Sequence, residues 1–357
     1  MSQKLFTFAC TNQILMHMRK AISLLLIMIL GAGCLSYACT SMVVSGKASS
    51  SGRPMLWKHR DTDAPGNFIQ RVNATADGEY DFIALFNEGD SLLLDAWTGM
   101  NEAGFAIMNT ASYNLAPDTA KLADQEGRVM ALALRKCKTV NDFARLLDTM
   151  PRPMGIQANF GVIDADGGAA YFEANDNGYT PFYIGGEGQP EALIRTNFSV
   201  SGNDSTGMGY VRYDNAHALL DSLTEARALT PEAFLQGPSR SFYHTLFGGD
   251  VLKSELKWAV DKDFIPRKIS TAAIVIEGQA PGKDALMLMH AILGYPPVGD
   301  LHQASFTEID PELLPTLPGY KCPANEGAKV RAARVFSYPH DSGTRYIDLT
   351  ALKSLMH

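Results

Sequence analysis

The hydrophobic pattern breaks this chain into short apolar runs bounded by turn residues, with fewer stretches at helical spacing. Residues 40–45 read as a short strand and residues 55–61 as a second. Between them, residues 46–54 are rich in Gly, Ser and Pro, which is turn chemistry. Residues 99–102 read as a turn, and 105–108 as an apolar strand ending in Asn109. Residues 160–163 and 169–173 flank Asp164-Ala165-Asp166-Gly167, a pattern that predicts a hairpin. Residues 193–198 and 271–276 read as further strands. Helical spacing is found at 127–136, at 139–150 with Thr139 as N-cap, and at 211–223. Thr230-Pro231-Glu232 opens another helix with Pro at its first position, and the Met-rich 284–293 reads as one more. Met130, Leu134 and Cys137 share one helical face, which makes Cys137 a core residue. Hairpins with helices set apart predict a layered α+β architecture.

The start of the chain changes this picture. Arg19 and Lys20 precede an apolar run from Ala21 to Leu30, and Gly31-Ala32-Gly33 follows. A basic segment before an apolar run too short to span a bilayer permanently reads as a signal peptide. Residues 1–17 read as an upstream extension before Met18. Ser36-Tyr37-Ala38 is the small-residue pattern that signal peptidase cuts after, so Cys39 would become the first residue of a 319-residue mature domain, 357 minus 38. Export to the periplasm or medium follows. Cys34 offers a competing lipidation site, but Gly31 stands where a Leu-like residue is wanted.

A Cys39 freed in this way carries a thiol and an α-amine on one residue. The thiolate is a nucleophile, and the amine, with an ordinary pKa of about 7.7–8.0, can take the thiol's proton. If the turn after the first strand centres on Ser50, partner numbers sum to about 100 and Cys39 faces Asp61. A carboxylate there would bind and orient the α-ammonium. Lys58 lies three residues from Asp61, so strict alternation sends it to the opposite face. Asn109 reads equally as a strand cap or as a donor to a developing oxyanion.

Composition sets outer bounds. The chain is 46% hydrophobic and 19% charged, ample for a core. Removing the leader's three cations takes the net charge from −7 to −10, which disfavours nucleic acid and anionic membrane surfaces. Cys39, Cys137 and Cys322 remain beyond the leader, an odd number without paired Cys/His spacing. That pattern points neither to a disulfide framework nor to a metal site, and no cofactor motif is present.

Taken in order, Cys39-Thr40-Ser41, then Gly52-Arg53-Pro54-Met55-Leu56-Trp57-Lys58-His59-Arg60-Asp61, Gly99-Met100-Asn101-Glu102-Ala103-Gly104, Arg195-Thr196-Asn197-Phe198 and Arg212-Tyr213 carry a resemblance. They resemble the N-terminal-nucleophile (Ntn) hydrolases of the isopenicillin-N acyltransferase and carcinine hydrolase group. That group is related to the choloylglycine hydrolases, which include bile salt hydrolase and penicillin V acylase. The resemblance spans residue 39 to about 300. It implies a four-layer αββα sandwich of two stacked antiparallel sheets in one domain, residues 39–357. It also implies an enzyme that cleaves a linear, non-peptide or N-acyl amide through a thioester, by hydrolysis or acyl transfer.

Residue by residue, the resemblance makes Cys39 the nucleophile and Asp61 the carboxylate near the free amine. Lys58 falls where these families often have Arg. Asn197 matches an oxyanion-site Asn, Asn109 lies near the other such position, and Arg212 matches an Arg that supports the nucleophile. The chain departs from isopenicillin-N acyltransferase, which cuts itself before the cysteine, in ending a leader there; signal peptidase is the expected maturation partner. The other partner is a small amide substrate, without nucleic acid or a stable membrane span, and a homo-oligomer stays open. An exported N-terminal-cysteine dipeptidase and a non-catalytic lipid-anchored binding protein are the alternatives.

Overall fold

Two antiparallel sheets form the centre of the protein, and both begin from the runs of apolar residues. The computed structural model describes residues 39–115, 124–203, 205–279, 281–282, 286–337 and 345–356; the leader and both competing cleavage signals lie outside them. The first sheet contains β1 (Thr40–Val44), β2 (Met55–Asp61), β10 (Ala192–Arg195), β14 (Ser270–Glu277), β15 (Leu288–Leu293) and β16 (Leu301–Ala304), in the order β10-β1-β2-β14-β15-β16. The second is a seven-stranded meander in chain order: β3 (Asn67–Val72), β4 (Phe82–Asn87), β5 (Thr98–Asn101), β6 (Ala106–Ala111), β7 (Ala158–Ile163), β8 (Ala169–Ala174) and β9 (Tyr179–Tyr183).

Side-chain alternation assigns the faces of the first sheet. Val43 in β1, Leu56 in β2 and Ile274 and Ile276 in β14 point into the core shared with the second sheet. Met42, Val44, Met55, Trp57, Ala273 and Val275 point the other way, toward α3 (Tyr210–Glu225) and α4 (Pro231–Gln236). Trp57 is fully buried and stacks on Phe234 at 5.4 Å, a burial that stabilises by roughly 1.5–3 kcal/mol. On the far side, α1 (Glu126–Lys136) and α2 (Val140–Thr149) cover the second sheet with Met130, Leu134, Phe143 and Leu147. Helices, sheet, sheet, helices: the protein is the four-layer α+β sandwich expected. Gly161 in β7 lets the sheets approach, since a Cβ there would come within 2.7 Å of Val43 Cγ2 and Met108 Cε.

Beyond the sheets, a short pair β11 (Tyr243–His244) and β12 (Gly249–Asp250) and a second pair β13 (Trp258–Val260) and β17 (Tyr346–Asp348) join a C-terminal cluster with α5 (Pro323–Val335) and α6 (Leu349–Leu355). The described residues group as one compact unit. No helix among the described residues is long and apolar enough to cross a membrane.

Several local expectations change. Residues 288–293 are a strand, not a Met-rich helix: they pair with β14 and β16, and a six-residue apolar run does not distinguish helix from buried strand by periodicity. Residues 98–101 are strand β5 rather than a turn, which moves to 102–104. Asn109 lies inside β6 rather than at its end. The β1–β2 partners sum to 99, as in Thr40 opposite His59, one less than expected. Thr139 caps α2 through a reciprocal capping box with Asp142.

Candidate active site

Cys39 sits immediately before β1 with 7% of its surface exposed, and its Sγ lies 3.7 Å from the main-chain oxygen of Asp61. Alternation carries it to the inter-sheet face, along with Ser41, whose Oγ meets the Tyr171 hydroxyl at 2.8 Å. Buried cations reach Cys39 from both faces of the sheet.

Arg212 is one of them. It projects from the first turn of α3, and its Nη1 donates to the Cys39 carbonyl oxygen at 2.6 Å and to Thr40 Oγ1 at 2.9 Å. Its Nη2 donates to Asn197 Oδ1 at 2.7 Å. The N-cap before α3 is Gly209 at φ +82°, and a Cβ there would strike the Arg212 guanidinium at 2.4 Å. Glycine is therefore required for both the backbone and the packing. Burial, and then the charge of Arg267, lower the Arg212 pKa to about 9, so it stays charged at neutral pH.

Asn197 is held as firmly. Its Nδ2 donates to Ala111 O at 2.8 Å, and the residue is fully buried. Asn159 Nδ2 contacts both flanking carbonyls, Thr196 O at 3.2 Å and Phe198 O at 3.1 Å. The buried pair Arg195–Glu173, at 2.7 Å, ties the end of β10 to β8, and Glu173 also accepts from Val200 N and Ser201 N. A cleft of about 880 Å³ opens beside this loop, lined by Tyr113, Gln157, Glu173, Tyr179 and Ser201 among others.

Lys58 is the second cation. It opposes Ser41 across the hairpin, and its Nζ donates to Trp97 O and Asn109 Oδ1, both at 2.6 Å. Burial lowers its pKa to about 8, opposed by the negative form of Cys39 and by Glu126. Asn109 Nδ2 in turn donates to Glu126 Oε2 at 2.5 Å.

The Asp61 carboxylate lies on the opposite face from Lys58, as alternation requires. Its Oδ1 accepts from Ser270 Oγ at 2.6 Å, its Oδ2 pairs with Arg267, and His59 Nε2 lies 3.7 Å away. Burial lowers the His59 pKa to about 4, so the imidazole is neutral. Cys39, Arg212 and Asn197 are thus joined directly. Lys58 and Asn109 are joined to each other within electrostatic reach of Cys39, and Asp61 meets the thiol through its backbone.

Sequence reasoning did not single out Glu126, Asn159, Glu173, Arg267 or Ser270. Each acts through a partner far away in the chain, and only the pairing of the sheets brings those partners together.

Comparisons add three structural likenesses. No family model and no curated protein matches the chain. Among solved structures it is similar to an N-acylethanolamine-hydrolyzing acid amidase ortholog from Caenorhabditis elegans, at TM-score 0.44 and 13% identity over 68% of this chain and 94% of that one. It is similar to a variant of conjugated bile acid hydrolase from Clostridium perfringens, at TM-score 0.44 and 10% identity over 76% and 94%. It is similar also to penicillin V acylase from Agrobacterium tumefaciens, at TM-score 0.44 and 15% identity over 76% and 87%.

Proposed function

We propose that this protein is an exported Ntn cysteine amidohydrolase that cleaves a linear N-acyl amide through a thioester on Cys39, with acyl transfer to an amine as the alternative fate of that thioester. One observation carries the reading. Arg212 joins the Cys39 carbonyl, Thr40 and Asn197 in a buried cluster around a nearly enclosed thiol. The cluster grips the main chain of Cys39 and would hold its thiol in one position for attack.

In this reading signal peptidase removes residues 1–38, and the new α-amine accepts the Cys39 proton. The thiolate attacks the amide carbonyl carbon, and the carbonyl electron pair moves onto oxygen. Asn197 and backbone donors stabilise that oxyanion, each such donor being worth roughly 10²–10³ in turnover. The α-ammonium passes its proton to the departing nitrogen, and the C–N bond breaks. Water then adds to the thioester, releasing a carboxylic acid and restoring the thiol. Arg212 holds the main chain of Cys39, Lys58 sets the field at the thiol, and Asp61 anchors the end of β2.

The test is direct. Mass analysis of the exported protein is expected to give Cys-Thr-Ser-Met at the N-terminus. A panel of N-acyl amides and dipeptides, followed by amine release, is expected to show turnover of the amides that disappears in Cys39→Ala. A mature chain beginning at Cys34, or activity that survives Cys39→Ala, overturns the reading.

A further inference from the structure

Glu126 is a buried carboxylate with no direct cation partner among the described residues. It is the first residue of α1, with 6% of its surface exposed. Its Oε1 accepts from Gln157 N at 3.3 Å and its Oε2 from Asn109 Nδ2 at 2.5 Å. A buried acid that makes only neutral hydrogen bonds is costly and calls for a physical reason. The reason lies one amide away. Lys58 Nζ has no lone pair, so Asn109 must turn its oxygen toward it. The Asn109 nitrogen then has to face an acceptor, and Glu126 Oε2 is that acceptor. The orientation of this amide is thus fixed from both ends.

We propose that Glu126 is a positioning residue: through Asn109 it fixes and charges the Lys58 ammonium, so that the one Lys58 N–H not given to Trp97 and Asn109 is presented on the Cys39 side. Two of the three ammonium donors are committed to backbone and amide oxygens. An ammonium held beside a thiol favours the thiolate. The charged and titratable groups that bear on the pair are Cys39 and Arg60 at Lys58, and Asp124 at Glu126. Burial and the neighbouring Asp124 raise the Glu126 pKa to about 8. As the acid ionises, its negative charge opposes the loss of the proton from Lys58. Without it, Lys58 would become neutral at lower pH.

This inference rests on Cys39 as the reactive group, but its test does not need turnover. The Lys58 side chain is titrated by carbon-13 NMR at its Cε in the full mature protein, assigned by its loss in Lys58→Met. Glu126→Gln keeps the size and an acceptor for Asn109. It is expected to lower the Lys58 titration midpoint by at least half a pH unit. It is also expected to slow iodoacetamide alkylation of Cys39 at pH 8 at least twofold. In a Lys58→Met background, Glu126→Gln is expected to leave alkylation unchanged. Glu126→Asp, one methylene shorter, is expected to recover part of the midpoint but not all of the alkylation rate. An unmoved Lys58 midpoint, or an alkylation defect that persists in the Lys58→Met background, overturns the proposal. Absence of amide turnover with the Lys58 shift intact would count against the proposed reaction only.

Discussion

Arg267 reaches back 206 residues to pair with the carboxylate of Asp61, whose other oxygen is bound by Ser270. The strand end beside Cys39 is therefore tied down by a buried ion pair rather than left as a solvated charge. Asp61→Asn keeps the shape but removes the carboxylate that pairs with the Arg267 guanidinium. Breaking a buried pair from one side costs about 3–5 kcal/mol, and the 16% exposure of the Arg267 side chain puts this case near the lower figure. The expected outcome is a clear fall in melting temperature together with a large loss of turnover. Thermal melts and kcat measured on the same preparation check it. An unchanged melting temperature would mean that the pair contributes nothing.

Thiol chemistry is expected to be confined to one residue. Burial pushes the Cys137 thiol up to about 12 and the Cys322 thiol up to about 11, so neither forms thiolate near neutral pH. Mass mapping after brief iodoacetamide treatment is expected to find label on Cys39 alone. Cys137→Ala and Cys322→Ala are expected to retain turnover while losing on the order of 1 kcal/mol of stability.

Arg212 serves three acceptors, and its planar fork is what lets it do so. Arg212→Lys keeps the charge but is expected to leave Asn197 Oδ1 or Thr40 Oγ1 unsatisfied, at about 1–3 kcal/mol for each buried group. Turnover is expected to fall at least tenfold, mostly in kcat, because the geometry around the thiol loosens. Steady-state kinetics on any amide found to be turned over would show this. A change confined to KM would place Arg212 in ground-state binding instead.

The Lys58–Glu126 pair also predicts an unusual stability profile. Glu126 has a folded pKa of about 8 against an unfolded 4.5, so the native state binds more protons between those values and stability falls as pH rises through that window. Lys58 has a folded pKa of about 8 against an unfolded 10.5, so the unfolded state binds more protons above 8 and stability recovers there. From these two groups alone, a minimum lies near pH 8. A Glu126→Gln, Lys58→Met double variant is expected to flatten that minimum in chemical denaturation run from pH 5 to 10. A parent profile with its maximum near pH 8 would contradict the assignment.

Much of this fold could be read from local pattern. The β1–β2 hairpin, the β7–β8 hairpin and the Thr139 cap follow from alternation, turn residues and capping chemistry within ten or so positions. What could not be read there depended on long-range pairing. β15 is an apolar run whose strand state is decided by β14 and β16. α5 buries Ala324, Asn325, Ala328 and Val335, mostly small residues that make no visible apolar stripe. Of the candidate site, Cys39, Asp61, Lys58, Asn109, Asn197 and Arg212 were expected from the cleavage pattern before Cys39 and from a family resemblance. Glu126 and Arg267 had no such signal, because a helix-opening Glu and a loop Arg look like ordinary surface charges until their partners are known.

The Arg212 clamp has a practical corollary. It grips the main-chain oxygen of Cys39, not the sulfur. Exchanging the thiol for a methyl or a hydroxyl therefore leaves the grip intact, along with the Thr40 and Asn197 contacts. Cys39→Ala is in effect a chemically silent cast of the candidate centre, whereas the hydroxyl of Cys39→Ser remains a slow nucleophile. Immobilised and exposed to extracts or small-molecule collections, such a cast is expected to retain, uncut, a molecule that the proposed reaction consumes. The protein would then serve as bait for its own substrate.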